Sequence, residues 1–298
     1  MRTVSARLGQ EIDAIHQERR SRGLHQSFLT YRGFRYLKIA ALLCLVSLAI
    51  YIADNPYGSP YGGSWAGYTL GTVGAALIFW LTWFGYRKRN YPVMQDRLAA
   101  RLSAHIYFGL ALVIIATLHT GFHFGWNIHT VAYGLMCFVI ASGVVGVYCY
   151  SRYPRMMTAN RAGMTMQQML GRIASLDDEM RTAAMPLDER MATAIELAAE
   201  NTAIGGSAWR QMSGHYPSCA TAAAIALLDR RAEMEGEAEE GWLRVRVLLE
   251  EKAVLLARVR QDISYKAILD FWLYLHVPLT IMLVGALLAH IISVFFLW

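Results

Sequence analysis

Two pairs of histidines share one spacing, and both lie in apolar segments long enough to cross a membrane. His105 and His119 are fourteen residues apart in LSAHIYFGLALVIIATLHTGF, and His276 and His290 are fourteen apart in FWLYLHVPLTIMLVGALLAHIISVFFLW. Fourteen steps of an α-helix return to within about 40° of the starting direction and rise about 21 Å. Each pair therefore presents two imidazoles on nearly one face, at two depths of a hydrocarbon layer roughly 30 Å thick. Four neutral nitrogen ligands on two helices are what two bis-histidine haems stacked across a bilayer require. The chemistry this spacing points to is electron transfer across a membrane.

Other chemistries fit the same residues less well. A proton relay or transport site needs acidic partners at membrane depth, and these two segments contain essentially none, Asp270 standing at the edge of the last one. Histidines about 21 Å apart along one helix cannot share a metal ion. Without a porphyrin, each depth would hold a two-histidine site, and two imidazoles rarely complete a zinc or copper shell. They do complete the axial positions of a haem, whose macrocycle supplies four nitrogens. A purely structural role for the histidines is the remaining alternative.

The elements that must position these residues are membrane helices. The chain has 298 residues, 55% of them hydrophobic, and a mean hydropathy of +0.30. The apolar residues come in blocks rather than in a periodic pattern, which indicates an all-α integral membrane protein. Five spans are expected, at about Leu37–Ala53, Trp65–Tyr86, Leu102–Phe122, Thr130–Tyr150 and Ile268–Trp298. The start, MRTVSARLGQEIDAIHQERRSRG, is too polar and too acidic for a secretory signal peptide, and residues 1–36 are expected to form a cytoplasmic tail.

Loop charge alternates. The tail and the start of span one carry Arg19, Arg20, Arg22, Arg32, Arg35 and Lys38, whereas DNPYGSPYGGSWAG after that span has no Lys or Arg. The connection YRKRNYPVMQDRLAAR is basic, GFHFGWNIHT has no Lys or Arg, and the segment after span four opens with Arg152 and Arg155. By the positive-inside rule the N-terminus is expected in the cytoplasm and Trp298 in the periplasm of a bacterial inner membrane. The net charge of +6 is thereby explained by topology, not by nucleic acid. Spans three and five then run in the same direction. His105 pairs with His276 near the cytoplasmic side, and His119 with His290 near the outer side.

Residues 151–267 read as a cytoplasmic helical insert between spans four and five. Its expected helices run from Thr165, a cap, to Met180; from Pro186 to the Gly205–Gly206 break; after Pro217; and from about Gly241 into span five. Trp242, Val245, Leu249, Leu256, Val259 and Ile263 form a near-heptad stripe that Lys252 interrupts. The plainer expectation is that it packs inside the insert against Ala224, Leu227 and Leu228; an interface with a separate protein is the other.

Further residues are candidates beside the four ligands. His123 lies four residues beyond His119 and, eighteen from His105, returns to the same helical face. With Trp126, Asn127 and His129 it is placed to bind a haem propionate or to deprotonate a quinol, unless these form an interfacial belt. Arg101, with Arg87, Lys88 and Arg152, is placed to meet propionates of the inner haem, although topology determinants look the same. Gly109 and Gly285 would let macrocycles approach the backbone, Gly143 and Gly146 suggest close helix packing, and Pro278 would kink the helix beside His276. Cys44, Cys137, Cys149 and Cys219 form no CxxC or CxxCH sequence, so neither an iron–sulfur site nor covalent haem is expected.

At the four histidines the chain resembles the membrane di-haem cytochromes b. It is similar in layout to the ferric reductase-like transmembrane domain of metalloreductases and NADPH oxidases, where two helices separated by one each carry two ligating histidines. Cytochrome b of the quinol–cytochrome c oxidoreductases has a similar arrangement with the same fourteen-residue spacing. The resemblance covers about Leu102–Trp298 without the insert and implies that His105, His119, His276 and His290 are axial ligands of two haem b. It does not extend to a flavin and nicotinamide domain, and no GxGxxG opens a βαβ unit.

The expectation is therefore a di-haem subunit without catalytic residues of its own, embedded in lipid. It would carry electrons between the quinone pool and a partner, a multihaem cytochrome or an iron–sulfur or flavoprotein subunit. A stand-alone transmembrane metalloreductase and a non-redox scaffold or sensor acting through the insert are the alternatives.

Overall fold

A computed structural model describes residues 28–54, 61–90, 95–217, 219–235 and 240–296. Most of the tail, residues 1–27, and the terminal Trp298 lie outside the described residues. Among the described residues the regular elements are helical, with a 3-10 turn at Phe28–Thr30 followed by nine α-helices. These are α1 (Tyr31–Ala53), α2 (Trp65–Asn90), α3 (Gln95–Thr120), α4 (Ile128–Arg161), α5 (Met166–Ala184), α6 (Glu189–Glu200), α7 (Ala208–Ser213), α8 (Ala220–Glu235) and α9 (Glu240–Phe296). Helices α1, α2, α3, α4 and α9 are each long and apolar enough to cross a membrane, and the chain is an all-α membrane bundle. Leu42, Leu45 and Ile52 of α1 and Ile281, Met282 and Ile292 of α9 are exposed. An outward surface of this kind is unfavourable in water and natural in hydrocarbon.

The chain divides into two compact units, one reaching to Val145 and resuming at Leu275, the other spanning Gly146–Tyr274. In the first unit α3 is the central packing element, lying close to both α1 and α2. Ala40, Leu70, Ala111, Ile115 and Leu118 are buried in that seam. A second cluster joins Ile78, Leu112, Met136, Val139, Leu283 and Leu287, so α4 and the end of α9 meet the others through side chains.

Helix ends depart from the sequence expectation for local reasons. Helix α3 starts at Gln95, because QDRLAAR consists largely of good helix formers beyond the apolar stretch. It stops at Thr120, not Phe122, since Gly121 and Phe122 take left-handed φ values of 57° and 62°. Asn127 then accepts the amide of Thr130 at 3.0 Å and caps α4, which continues past Tyr150 to Arg161 with Pro154 inside it.

The second unit has its own core. Val245, Leu249, Leu256 and Val259 are fully buried against Met169, Leu176, Met180, Met191, Ile195 and Leu228, so the stripe on α9 packs within the unit. Leu227, expected there, is instead exposed. Thr165 caps α5 in a reciprocal capping box with Gln168. Helix α6 begins not at Pro186 but after Asp188, whose carboxylate accepts the Met191 amide. Lys252 is fully buried and donates to Asp177 Oδ1 and to the Ala198 carbonyl, each at 2.6 Å, tying α9 to α5 and α6. Arg260 donates to the Ala203 carbonyl and to Cys219 Sγ and lies over the Tyr216 ring. Burial pushes the Cys219 thiol up, but Arg260 and nearby N–H and O–H donors outweigh it and hold the thiol below its ordinary range.

Candidate functional site

The first unit brings three histidines together. The ring centres of His119 on α3 and His290 on α9 are 6.0 Å apart with planes at 86°. The His129 ring, in the first turn of α4, is 4.6 Å from that of His290. His129 was expected to meet a propionate or a quinol; its Nδ1 is hydrogen-bonded to Nδ1 of His290.

The position of His119 comes from glycines. Ser64 caps α2 by accepting the Gly67 amide at 3.1 Å, and the Gly67 carbonyl in that first turn receives His119 Nδ1 at 2.7 Å. A carbonyl only accepts, so the proton sits on Nδ1 and Nε2 carries the lone pair. One turn on, a Cβ at Gly71 would stand 2.7 Å from His119 Cε1. Gly62 approaches the same ring, its Cβ position 3.6 Å from Cε1. Gly71, with Gly62 beside it, thus leaves the space that the imidazole fills, while Gly67 is kept bare by the Tyr61 and Gly62 backbone. Small residues four positions apart are a recognisable membrane packing signal; here Gly71 receives a side chain rather than a backbone.

His276 has a comparable support. Its Nδ1 is 2.7 Å from Ser142 Oγ on α4, and a Cβ at Gly143 would lie 3.6 Å from its Cε1. Gly146, in the second unit, gives its space to Trp272, whose ring would stand 2.1 Å from an added Cβ. A hydrogen bond of this type contributes about 0.5–1.5 kcal/mol net, whereas leaving a buried donor unsatisfied costs about 1–3 kcal/mol. His105 is half-buried in α3, and its Nδ1 is shielded from solvent.

The remaining candidates separate. His123 does not return to the face of His105, because α3 has ended and the residue sits exposed after the left-handed turn. Arg101 lies one turn before His105 in α3 and is half-buried. The side chains of Arg87 and Lys88 lie outside the described residues, and Arg152 belongs to the second unit. A Cβ at Gly109 or Gly285 would meet nothing within 4 Å. Pro278 lies inside a continuous α9.

Two imidazoles opposite each other on one metal, each bound through nitrogen at about 2 Å, have ring centres about 6 Å apart; a tetrahedral angle would bring them to about 5 Å. The 6.0 Å between His119 and His290 suits the opposed arrangement. Among the described residues no group of three or more His, Cys, Asp or Glu is gathered as a metal shell. A porphyrin would supply four of a metal's ligands and leave two positions for imidazoles. No protein family, curated protein or solved structure matches this chain.

Proposed function

We propose that the chain is a di-haem b-type cytochrome subunit of a bacterial inner membrane, moving electrons across the bilayer between the quinone pool and a partner redox protein. The observation that carries this reading is the 6.0 Å separation of the His119 and His290 ring centres, with the His119 lone pair on Nε2. Its counterpart is the equal spacing of the four histidines along α3 and α9. His119 and His290 would hold one haem, His105 and His276 the other. Bound haem supplies reversible one-electron chemistry that side chains lack. The chain's own part is to hold four neutral imidazoles at two depths, fix their tautomers and keep water from them.

Loop charge supports a cytoplasmic N-terminus and the insert on the same side, which assigns His105 and His276 to the inner haem and His119 and His290 to the outer one. His123, exposed in the turn after α3, is the residue on that outer side we would assign to accepting a proton from quinol. The likeness of the histidine pattern to membrane di-haem cytochromes b favours the same reading.

The test is a pyridine haemochrome assay and a redox titration on the purified full-length chain. Two b-type haems per chain, reducible by a quinol analogue, are expected. Protein that is folded, active in its membrane and free of haem sinks the proposal.

A further inference from the structure

We infer that Ser142 and His129, both on α4, are positioning residues for the two histidines of α9, an inference that rests on the haem reading above. Helix α4 carries no expected ligand, yet it meets Nδ1 of both α9 imidazoles, Ser142 at His276 and His129 at His290. The two helices are antiparallel. The thirteen residues from His129 to Ser142 rise about 20 Å, close to the 21 Å or so that separates His276 from His290. One helix thus supports both ligands of its neighbour, at the two depths where those ligands work.

Proton counting gives the contacts a direction. A serine hydroxyl has one proton, and Ser142 Oγ donates it to the Val139 carbonyl at 2.7 Å. Toward His276 the oxygen can therefore only accept, so the imidazole proton is on Nδ1 and the lone pair on Nε2. At the other depth two Nδ1 atoms face each other, and one proton must lie between them. For His290 to bind iron through Nε2 it must be the donor there, and His129 the acceptor with its own proton on Nε2. An Nδ1–H donated to an acceptor fixes the ring and raises its basicity, which favours the ferric state and lowers the potential. Ser142 and His129 each touch one ligand, so each should tune one haem.

The experiment uses the purified full-length chain with haem bound, read by redox titration of each haem and by low-temperature electron paramagnetic resonance of the ferric state. Ser142→Ala is expected to raise the midpoint potential of the His105/His276 haem and move its largest g value, leaving the other haem unchanged. Ser142→Thr, which keeps the hydroxyl, is expected to restore wild-type values. His129→Ala is expected to do the same to the His119/His290 haem alone, with His129→Asn, still an acceptor, restoring most of the signal. If Ser142→Ala does not assemble, Ser142→Cys, a weaker acceptor of similar size, is titrated with the same expectation. Wild-type protein without haem overturns the proposed function and this inference with it. Two bound haems whose potentials and g values do not move in these variants, or move equally in Ser142→Ala and Ser142→Thr, overturn the inference alone.

Discussion

The two units use buried polar groups in opposite ways. In the unit Gly146–Tyr274 the buried polar side chains include charges, and they hold helices in register: Lys252 on Asp177 and the Ala198 carbonyl, Asp262 on Arg161 at 2.6 Å. In the membrane unit the hydrogen bonds across helices include neutral pairs such as Thr117 with Tyr133, and three of them end on imidazoles: the Gly67 carbonyl on His119, Ser142 on His276, His129 on His290. Other hydroxyls there, such as those of Thr72 and Thr82, return to their own helix backbone four residues earlier. Hydrocarbon explains the difference. A charge pair is costly to desolvate in either setting, but only a membrane lacks the alternative of leaving the group at a wet surface.

Substitutions can break this contrast, and the largest effect is expected at the histidines. On the proposed di-haem reading, His119→Ala and His290→Ala should each remove the same one of two haems, and His105→Ala and His276→Ala the other, measured as haem per chain and by which potential disappears. Loss of both haems from any single variant would mean that the depths are not independent. Next in size is Lys252→Ala, which strands Asp177 and should cost about 3–5 kcal/mol, read as faster hydrogen exchange in α5, α6 and the start of α9. Haem content should stay at the wild-type level. Replacing both partners by Met and Leu should recover most of the loss, because well-packed apolar residues substitute for a buried pair.

A smaller, sharper effect is expected at Gly71. An added Cβ would overlap the His119 ring, so Gly71→Ala should cost about 1–3 kcal/mol and weaken only the His119/His290 haem. Equal loss from both haems would show a general packing defect. The smallest effect is at Asp188. The Met191 amide and the Arg231 guanidinium hold its carboxyl below the usual range. A depressed folded pKa means the stabilisation is present above the unfolded carboxylate pKa and is lost as pH falls through the folded one. Asp188→Asn should therefore cost little at neutral pH, since Asn also caps, and should flatten the acid limb of the unit's thermal melting curve.

What was legible in the sequence follows the range of the forces. The five apolar helices and the spacing of the histidines are local properties of a 3.6-residue period, and they were readable. So were the Thr165 cap and the heptad stripe of α9, whose apolar side is now buried within its own unit. His123 was misplaced because Gly121 was read as part of an apolar run rather than as a helix stop. Asp188 was passed over as a cap in favour of Pro186. The short helix α7 carries too little pattern to register. Ser142 escaped notice because its partner is 134 positions away, and no periodicity links a serine to a histidine on another helix. Gly71 was not singled out either, because nothing local says that an imidazole from another helix fills the space beside it.

The anchor of His119 differs in kind from the other two. It is a main-chain carbonyl, so it does not depend on a hydrogen-bonding side chain, and position 67 is itself held to glycine because a Cβ there would strike the Tyr61 and Gly62 backbone. Ser142 and His129 are side chains, and single-base changes can retune or erase them. The α9 end of each pair is thus the adjustable end, and the α3 end at His119 is built into the backbone. Variation that retunes the histidines would be expected to accumulate at 129 and 142 before it touched the seat of His119.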